Sequence, residues 1–502
     1  MGVNSPGIMD DDHRQDPKPV YEPVDLDAEL GQQPWKSAGK ARQQCSLIGL
    51  AKSWICTQTR RTPATVRPTA YLDGLRGFAA LIVYFHHHQL WVHDRRNQNV
   101  VLENAFGYEG KYYLAAFPGI RLLFTGGHFA VSIFFVLSGY VLSIKPWQLV
   151  DAGDMVALGD HLASAFFRRW IRLFLPPIIV MVLYATSWHI FAFPPEDFHP
   201  QGSWRSEMWT LYAEFKNFSF LYRDGGIPWL SYNLHLWSIP VEMKGSMVLY
   251  ASVVAFSRST VKARVWCLVA LAGYFLYIAD GWYCAMFVAG MLLSYLDLLA
   301  RTDRLPQILS QLQPYKTFIF CHLFAASLYL GGIPCENGDV AQLNRNRGWY
   351  YLSYLKPQAV FDYKWFYLFW AANFLVASVG HIRLIKRFFE TRFCQYLGRV
   401  SFALYLVHGP VLSTVGNRLY HRIGLTAQDQ QSSLPWAKKV TLSSAGPLGL
   451  EATLLLAQVV LLPATFCLAD LVTRAFDTPS VRFSQWLYRK TLPSEREKRS
   501  KA

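Results

Sequence analysis

Residues 71–91 read YLDGLRGFAALIVYFHHHQLW, an apolar stretch of membrane-spanning length with ionisable side chains near both ends. Ionisable groups are costly inside a bilayer, so an intramembrane Arg or His is a candidate functional residue. His87 follows Arg76 by eleven positions, which puts it about 20° around a helix and about 16 Å along it from Arg76. His86 and His88 point about 80° and 120° away from that line. This helix is therefore predicted to present Arg76 and His87 on one face.

The composition of the chain predicts a membrane protein with many spans. Of the 502 residues, 52% are hydrophobic and 17% are charged, whereas about 25% are charged in a typical soluble domain. The sequence predicts an all-α, polytopic transmembrane helical bundle of about ten helices, or eleven if the weaker stretch 205–222 also spans. The predicted helices cover approximately 72–92, 120–143, 172–193, 234–256, 265–279, 282–299, 315–332, 362–380, 394–415 and 450–473.

Loop charges predict the orientation of these helices. Positive charge is concentrated in short segments such as 257–264 and 381–393, while it is sparser along longer loops such as 93–119 and 333–361. Because positively charged loops stay in the cytosol, both termini are expected to be cytosolic.

Three segments are predicted along the chain. They are a disordered cytosolic tail over 1–68, a membrane domain over 69–485 and a basic cytosolic tail over 486–502.

Composition also argues against other classes of protein. The positive residues behind the net charge of +15 lie mainly in the loops between the apolar stretches and in the tails, as expected of a membrane protein. No base-reading module is recognisable, so nucleic-acid binding is not expected. The eight cysteines include no CxxC pair, which argues against a disulfide framework or a cysteine zinc site. We expect no metal, no bound cofactor and no obligate protein partner. The expected partner is the lipid bilayer.

Further polar side chains lie in the predicted second, third and fourth spans. Ser138 fits either helix packing or a site. Arg169 and Arg172 share a helical face at the predicted cytosolic edge, where they would be interfacial anchors or a phosphate clamp, because guanidinium groups bind phosphate oxygens in pairs. Glu242 is an intramembrane carboxylate, which either pairs with an Arg of another helix or takes part in chemistry.

The predicted ninth span contains a polar face. Ser401, Tyr405 and His408 follow one another at spacings of four and three, so they share one side of a helix. A lone membrane His is often a structural hydrogen-bond donor, but Ser and Tyr beside it indicate a polar cavity.

Six motifs follow one another along the chain. In order, they are DGLRGFAALIVYFHH, GGHFAVSIFFVLSGYVLS, RRWIRLFLPP, LWSIPVE, YLGRVSFALYLVHGPV and ADLVTRAFDTPSV. Together they resemble the acyltransferase type 3 family, over about residues 69–485, and the chain looks most like fungal members. Members of this family are polytopic membrane O-acyltransferases that modify glycans, lipids, peptides and small natural products, usually with acyl-CoA taken from the cytosolic side.

The resemblance implies roles for the residues that match these motifs. Arg76 and His87 match the family's principal catalytic candidates, and Glu242 matches its membrane Glu. Acyl-CoA, the expected co-substrate, and the acceptor would be bound by a second group of residues, namely Asp73, Arg169, Arg172, Ser138, Tyr405 and His408.

The function expected from this resemblance is transfer of an acyl group from acyl-CoA to a hydroxyl of a natural product, a lipid or sterol, or a glycan. Acetyl is the acyl group that the resemblance favours. His87 would be the general base, and Arg76 would hold a CoA phosphate or stabilise the thioester oxyanion. The run of three histidines leaves His86 and His88 open as the base, although spacing and helical phase favour His87. A ping-pong route through an acylated His87 or Ser138 is a less favoured option.

An alternative function is a proton-coupled transporter of a small molecule, since membrane His, Glu and Arg side chains also serve proton relays. The expected location is the endoplasmic reticulum or another endomembrane, or the plasma membrane.

Overall fold

The computed structural model describes residues 67–93, 107–108, 111–112, 114–191, 193–195, 198–222, 228–334, 339–423, 425 and 451–493. The predicted N-terminal tail lies outside these residues except at positions 67 and 68, and the predicted C-terminal tail lies outside them from residue 494 onward.

The described residues form an almost entirely helical structure. The helices are α1 (Ala70–His93), α2 (Leu122–Thr125), α3 (Gly127–Asp151), α4 (Met155–Phe191), α5 (Trp204–Ser219), α6 (Ser238–Phe256), α7 (Val261–Tyr277), α8 (Trp282–Arg301), α9 (Gln307–Gln311), α10 (Lys316–Gly331), α11 (Val340–Arg345), α12 (Tyr350–Ser353), α13 (Lys364–Val379), α14 (Arg383–Phe389), α15 (Arg392–Val411), α16 (Asn417–Arg422), α17 (Glu451–Val472) and α18 (Thr478–Thr491).

Short elements of other kinds connect these helices. Strands β1 (Gly107–Tyr108) and β2 (Lys111–Tyr112) pair antiparallel. Short 3₁₀ turns cover Leu114–Ala116, Leu234–Trp237 and Gln313–Tyr315, and π-helical turns cover Leu412–Gly416 and Thr473–Asp477.

Five of the described helices are long and apolar enough to cross a membrane. A sixth is added if α13 and α14, which meet at 95°, form one broken span. The five are Gly127–Asp151, Met155–Phe191, Leu234–Phe256, Trp282–Arg301 and Ala452–Thr491. The all-helical, membrane-capable fold is therefore as expected, whereas the number of spans and the side of the termini stay predictions. Helix α5 covers most of the stretch considered for an eleventh span, but it is not among the five.

Helices α1 and α15 are not among the five either, and both lie largely inside the bundle. Helix α1 packs against α15 and α3. A helix that is shielded from lipid by its neighbours can carry Arg and His side chains that would be costly on a lipid-facing helix. The two most polar predicted spans are thus inner helices.

The crossing of α1 and α15 depends on two glycines. A Cβ atom on Gly77 would overlap the backbone of Leu397 and Gly398, and one on Gly398 would overlap the carbonyl of Asp73. Small residues at such a crossing let two helix backbones come into direct contact. The two helices run in the same direction, since contacts advance together along both, from the Ser401 level to the His408 level.

Candidate active site

Arg76 is held at the interface between α1 and α15. Its Nη2 lies 3.1 Å from Oδ1 of Asp73 and donates to the carbonyl of Gly398 at 3.0 Å, while its Nε donates to Oγ of Ser401 at 3.2 Å. The guanidinium side chain remains 32% exposed. Arg76 is therefore oriented by three partners and still accessible to a bound group.

Glu242, Arg169 and Ser138, which come from α6, α4 and α3, meet in one buried cluster. Oε1 of Glu242 lies 2.5 Å from Nη2 of Arg169 and accepts a hydrogen bond from Ser138 Oγ at 2.6 Å. Nε of Arg169 donates to Ser246 Oγ at 3.0 Å. The Arg169 and Glu242 side chains are only 10% and 16% exposed. This is the pairing with an Arg of another helix that the sequence left open for Glu242.

Electrostatic interactions connect this ion pair to Arg76 and Arg172. Glu242 interacts with Arg76 as well as Arg169. Asp477, in the π-helical turn after α17, interacts with both Arg172 and Arg76. We call Asp73, Arg76, Arg169, Arg172, Glu242 and Asp477 the charged layer.

Deeper in the bundle, three imidazole rings from distant parts of the chain meet. The ring centroid of His87 lies 4.0 Å from that of His235 and 5.2 Å from that of His408, and the latter two are 4.9 Å apart. One ring nitrogen of each lies within 4.8 Å of the others. We call His87, His235 and His408 the histidine cluster. Both Arg76 and His87 contact α15, as helical phase predicts for residues on one face.

His235 owes its position to a contact that the sequence of α15 makes available. Pro410 has no N–H, so the carbonyl of Leu406, one turn earlier, lacks its usual helical partner. Asn233 Nδ2 donates to that carbonyl at 3.1 Å. Asn233 Oδ1 in turn accepts from Nδ1 of His235 at 3.1 Å. The residue before the proline is Gly409, where an added Cβ would come within 2.6 Å of both Asn233 Oδ1 and His235 Nδ1.

Tyr405 lies between the two groups. Its hydroxyl is 2.8 Å from Oγ of Ser238 and donates to the carbonyl of His235. It also interacts electrostatically with Glu242, and its ring is 5.7 Å from that of His408. The hydroxyl of Tyr405 thus connects the histidine cluster to the charged layer.

The three consecutive histidines of α1 have different surroundings. Nδ1 of His88 lies 2.5 Å from the Tyr420 hydroxyl, in a buried group that also contains Gln458. The ring of His86 packs against that of His128 at 5.3 Å. In the described part of the chain, His87 is the member of the run whose ring contacts both others of the cluster, edge to face with His235 and stacked with His408.

His235 and Asn233 were not selected from the sequence. His235 belongs to the 3₁₀ turn before α6, seven residues ahead of Glu242, and Asn233 caps that turn, nine residues ahead of Glu242. A signal was present, since Asn and His stand close together at the entrance to a predicted membrane span, but nothing local shows that they reach α15.

Comparison with known proteins identifies the family. The Acyl_transf_3 family model, an acyltransferase domain, matches residues 69–474. The chain is 31% identical over 479 residues to the O-acetyltransferase PaAT-1 of Phomopsis amygdali, covering 88% of each chain. It is 22% identical over 412 residues to the acyltransferase clz18 of Cochliobolus lunatus, covering 70% of this chain and 84% of that one.

A further relative is the acyltransferase R4 of Phoma sp., which is 22% identical over 417 residues, 71% of this chain and 86% of that one. No solved structure matches the chain. The family match spans most of the chain, and it includes the entire histidine cluster and every member of the charged layer except Asp477. The chain therefore belongs to the acyltransferase type 3 family and is a membrane O-acyltransferase.

Proposed function

We propose that this enzyme moves an acetyl group from acetyl-CoA to a hydroxyl of a natural product, a lipid or sterol, or a glycan. The observation that carries the proposal is the histidine cluster next to the charged layer, with His87 and His408 on the two helices, α1 and α15, that also hold Arg76. The depth of His87 within the bundle favours an apolar acceptor, such as a small secondary metabolite or a sterol, because such a molecule partitions into the membrane. PaAT-1 is by name an O-acetyltransferase, which supports acetyl as the acyl group.

In the proposed reaction, His87 takes the proton of the acceptor hydroxyl as the oxygen attacks the thioester carbonyl. The C–O bond forms, the C–S bond breaks, and the CoA thiolate leaves with the proton returned from His87. An imidazole suits both steps because it gains and loses a proton near neutral pH. Direct transfer is preferred to a ping-pong route, since the Glu242 carboxylate that accepts from Ser138 is already held in an ion pair with Arg169 and is not free to activate a nucleophile.

The charged layer would bind the CoA end of the donor. Arg76 is oriented and partly exposed, so it suits a phosphate oxygen or the developing thioester oxyanion. Arg172 would bind a second phosphate. Arg169 donates to Glu242 through Nη2, so a phosphate bound at that nitrogen would replace the carboxylate. Asp73 would hold Arg76 in position, and Tyr405 and His408 would line the acceptor side.

We propose ten spans with both termini in the cytosol, in the endoplasmic reticulum, another endomembrane or the plasma membrane. The parallel packing of α1 and α15 supports this order, because the first and ninth spans of such a topology run in the same direction. The transporter alternative is not favoured by the comparisons, whose relatives are acyltransferases by name.

The central test replaces His87 by Ala in the full-length protein. Membranes containing the variant should lose transfer of radiolabelled acetyl from acetyl-CoA to extracted acceptor, by about 10²-fold or more, the contribution typical of a general base. The matched control is His322→Ala, since His322 is an exposed histidine whose Nδ1 bonds its own helix. Wild-type activity in the His87 variant, at equal amounts of inserted protein, would refute the assignment.

The acceptor can be identified by metabolite profiling of a strain that lacks the protein. We expect loss of one compound and accumulation of a product lighter by one acetyl group. An unchanged metabolite and lipid profile, with accumulation of a transported solute instead, would favour the transporter.

A further inference from the structure

We propose that His87, His235 and His408 form a binding site for a divalent transition-metal ion of the zinc type. This inference rests on the geometry of the described residues and does not require the proposed acyl transfer. It also departs from the sequence analysis, which expected no metal.

The spacing of the three rings is close to that of a metal site. Each residue offers a ring nitrogen, and the three nitrogens lie within 4.8 Å of one another. In a tetrahedral zinc site with Zn–N distances of about 2.0–2.1 Å, neighbouring ligand nitrogens are about 3.3 Å apart. Small rotations of the rings would bring the nitrogens to that spacing.

The hydrogen bonds of two of the rings favour the form that binds metals. Nδ1 of His235 donates to Asn233 Oδ1, and Nδ1 of His408 donates to the carbonyl of Leu404 at 3.2 Å. Each ring therefore carries its proton on Nδ1 and leaves Nε2 with a free lone pair. Metal-binding histidines usually donate their second N–H to an oxygen in this way, which sets the tautomer and the ring orientation.

The Nε2 atom of His408 supplies an independent indication. His408 is 1% exposed, and its Nε2 is buried without a hydrogen-bond partner in the described part of the chain. A buried acceptor of this kind is expected to have a partner. An ion within the histidine cluster would provide one.

The ligand set indicates the class of ion. Three neutral imidazoles without a carboxylate suit zinc, copper, iron or nickel rather than magnesium or calcium. Three protein ligands also leave a fourth position open to water or a substrate oxygen, which is the arrangement of catalytic zinc sites rather than structural ones. An ion bound here would occupy a ring nitrogen of His87, the residue that the proposed function uses as a base. Metal binding and acetyl transfer can therefore be measured separately.

The test measures the metal content of the full-length protein, purified in detergent without chelators, by mass spectrometry of the elements. We expect about one equivalent of a transition metal per chain, reduced at least fivefold in His235→Ala and His408→Ala and unchanged in His322→Ala. A wild-type protein without metal that also fails to take up added Zn²⁺ would overturn the proposal, as would variants that retain the full equivalent.

A spectroscopic measurement covers the case in which a histidine variant does not fold. Wild-type protein treated with chelator and then with Co²⁺ should show the intense visible absorption of a four-coordinate cobalt site, and Zn²⁺ should abolish it. Absence of that absorption contradicts the proposal. Metal binding without acetyl transfer would refute the proposed function and leave the metal site standing. Acetyl transfer by a wild-type protein that neither contains nor takes up metal would refute the metal site and leave the proposed function standing.

Discussion

At the scale of single residues, Gly409 and Pro410 decide where His235 lies. Pro410 removes the N–H that would bond the Leu406 carbonyl, and Asn233 occupies that carbonyl instead. Gly409 leaves the space that Asn233 and His235 need beside α15. Two adjacent residues of α15 therefore decide the position of a histidine that lies more than a hundred residues earlier in the chain.

Gly409→Ala should displace His235 from the histidine cluster. A Cβ would lie 2.6 Å from His235 Nδ1 and Asn233 Oδ1, so these side chains must move and acetyl transfer should fall by about 10² or more, as expected when catalytic groups are misplaced by an ångström. The matched control is Gly273→Ala, a glycine inside α7 with nothing within 4 Å of an added Cβ.

Both changes raise helix propensity by about the same amount, up to about 1 kcal/mol. A difference in acetyl transfer rate between the two variants therefore reports the contact with His235 and not the change in helix propensity. Equal activity in the two would contradict the role of Gly409.

At the scale of helices, the ion pair between Arg169 and Glu242 joins α4 to α6, and Ser138 adds α3. Removing one member of a buried pair leaves an uncompensated charge and costs about 3–5 kcal/mol. Glu242→Gln should therefore lower the thermal unfolding temperature in detergent, as well as reducing transfer.

The more exposed pair of Lys386 and Glu390, whose side chains are 37% and 23% exposed and 3.9 Å apart at successive turns, is the control. Glu390→Gln should change stability by no more than about 1 kcal/mol. The double variant Arg169→Met with Glu242→Leu should recover stability, since no charge is left buried. If that double variant also recovers acetyl transfer, the pair is purely structural and the role of Glu242 in the site is wrong.

At the scale of the whole molecule, the polar helices α1 and α15 lie inside, and more apolar helices surround them. This arrangement lets ionisable side chains gather at membrane depth without contact with lipid. Access to the site then depends on the side of the membrane that each end of α1 faces.

The proposed topology predicts where reporters will be found. Fluorescent or protease-accessible tags at both termini should be cytosolic, and tags inserted between α1 and α2 or between α10 and α11 should lie on the opposite side. Selective permeabilisation of the plasma membrane, followed by protease, separates these cases. A protected N-terminal tag would invert the orientation and place Arg76 away from cytosolic acyl-CoA.

Periodicity accounts for much of what the sequence predicted. A helix lies in each of the ten predicted stretches, because long apolar stretches bounded by polar loops leave the backbone no other way to satisfy its hydrogen bonds in lipid. The shared face of Arg76 and His87 follows from 100° per residue alone. The partner of Glu242 was left open, and His235 was missed, because the residues that meet there are far apart in the chain.

The sequence by itself determined the all-helical membrane class, the family, and the alignment of Arg76 with His87, since each depends on local composition, motif order or helical period. Only the tertiary structure decided that His235 and His408 join His87 and that Arg169 binds Glu242. These meetings depend on how closely helices cross, as at Gly77 and Gly398, and on which carbonyl a proline leaves free. Such contacts are set by pairs of distant segments and not by the pattern within either one.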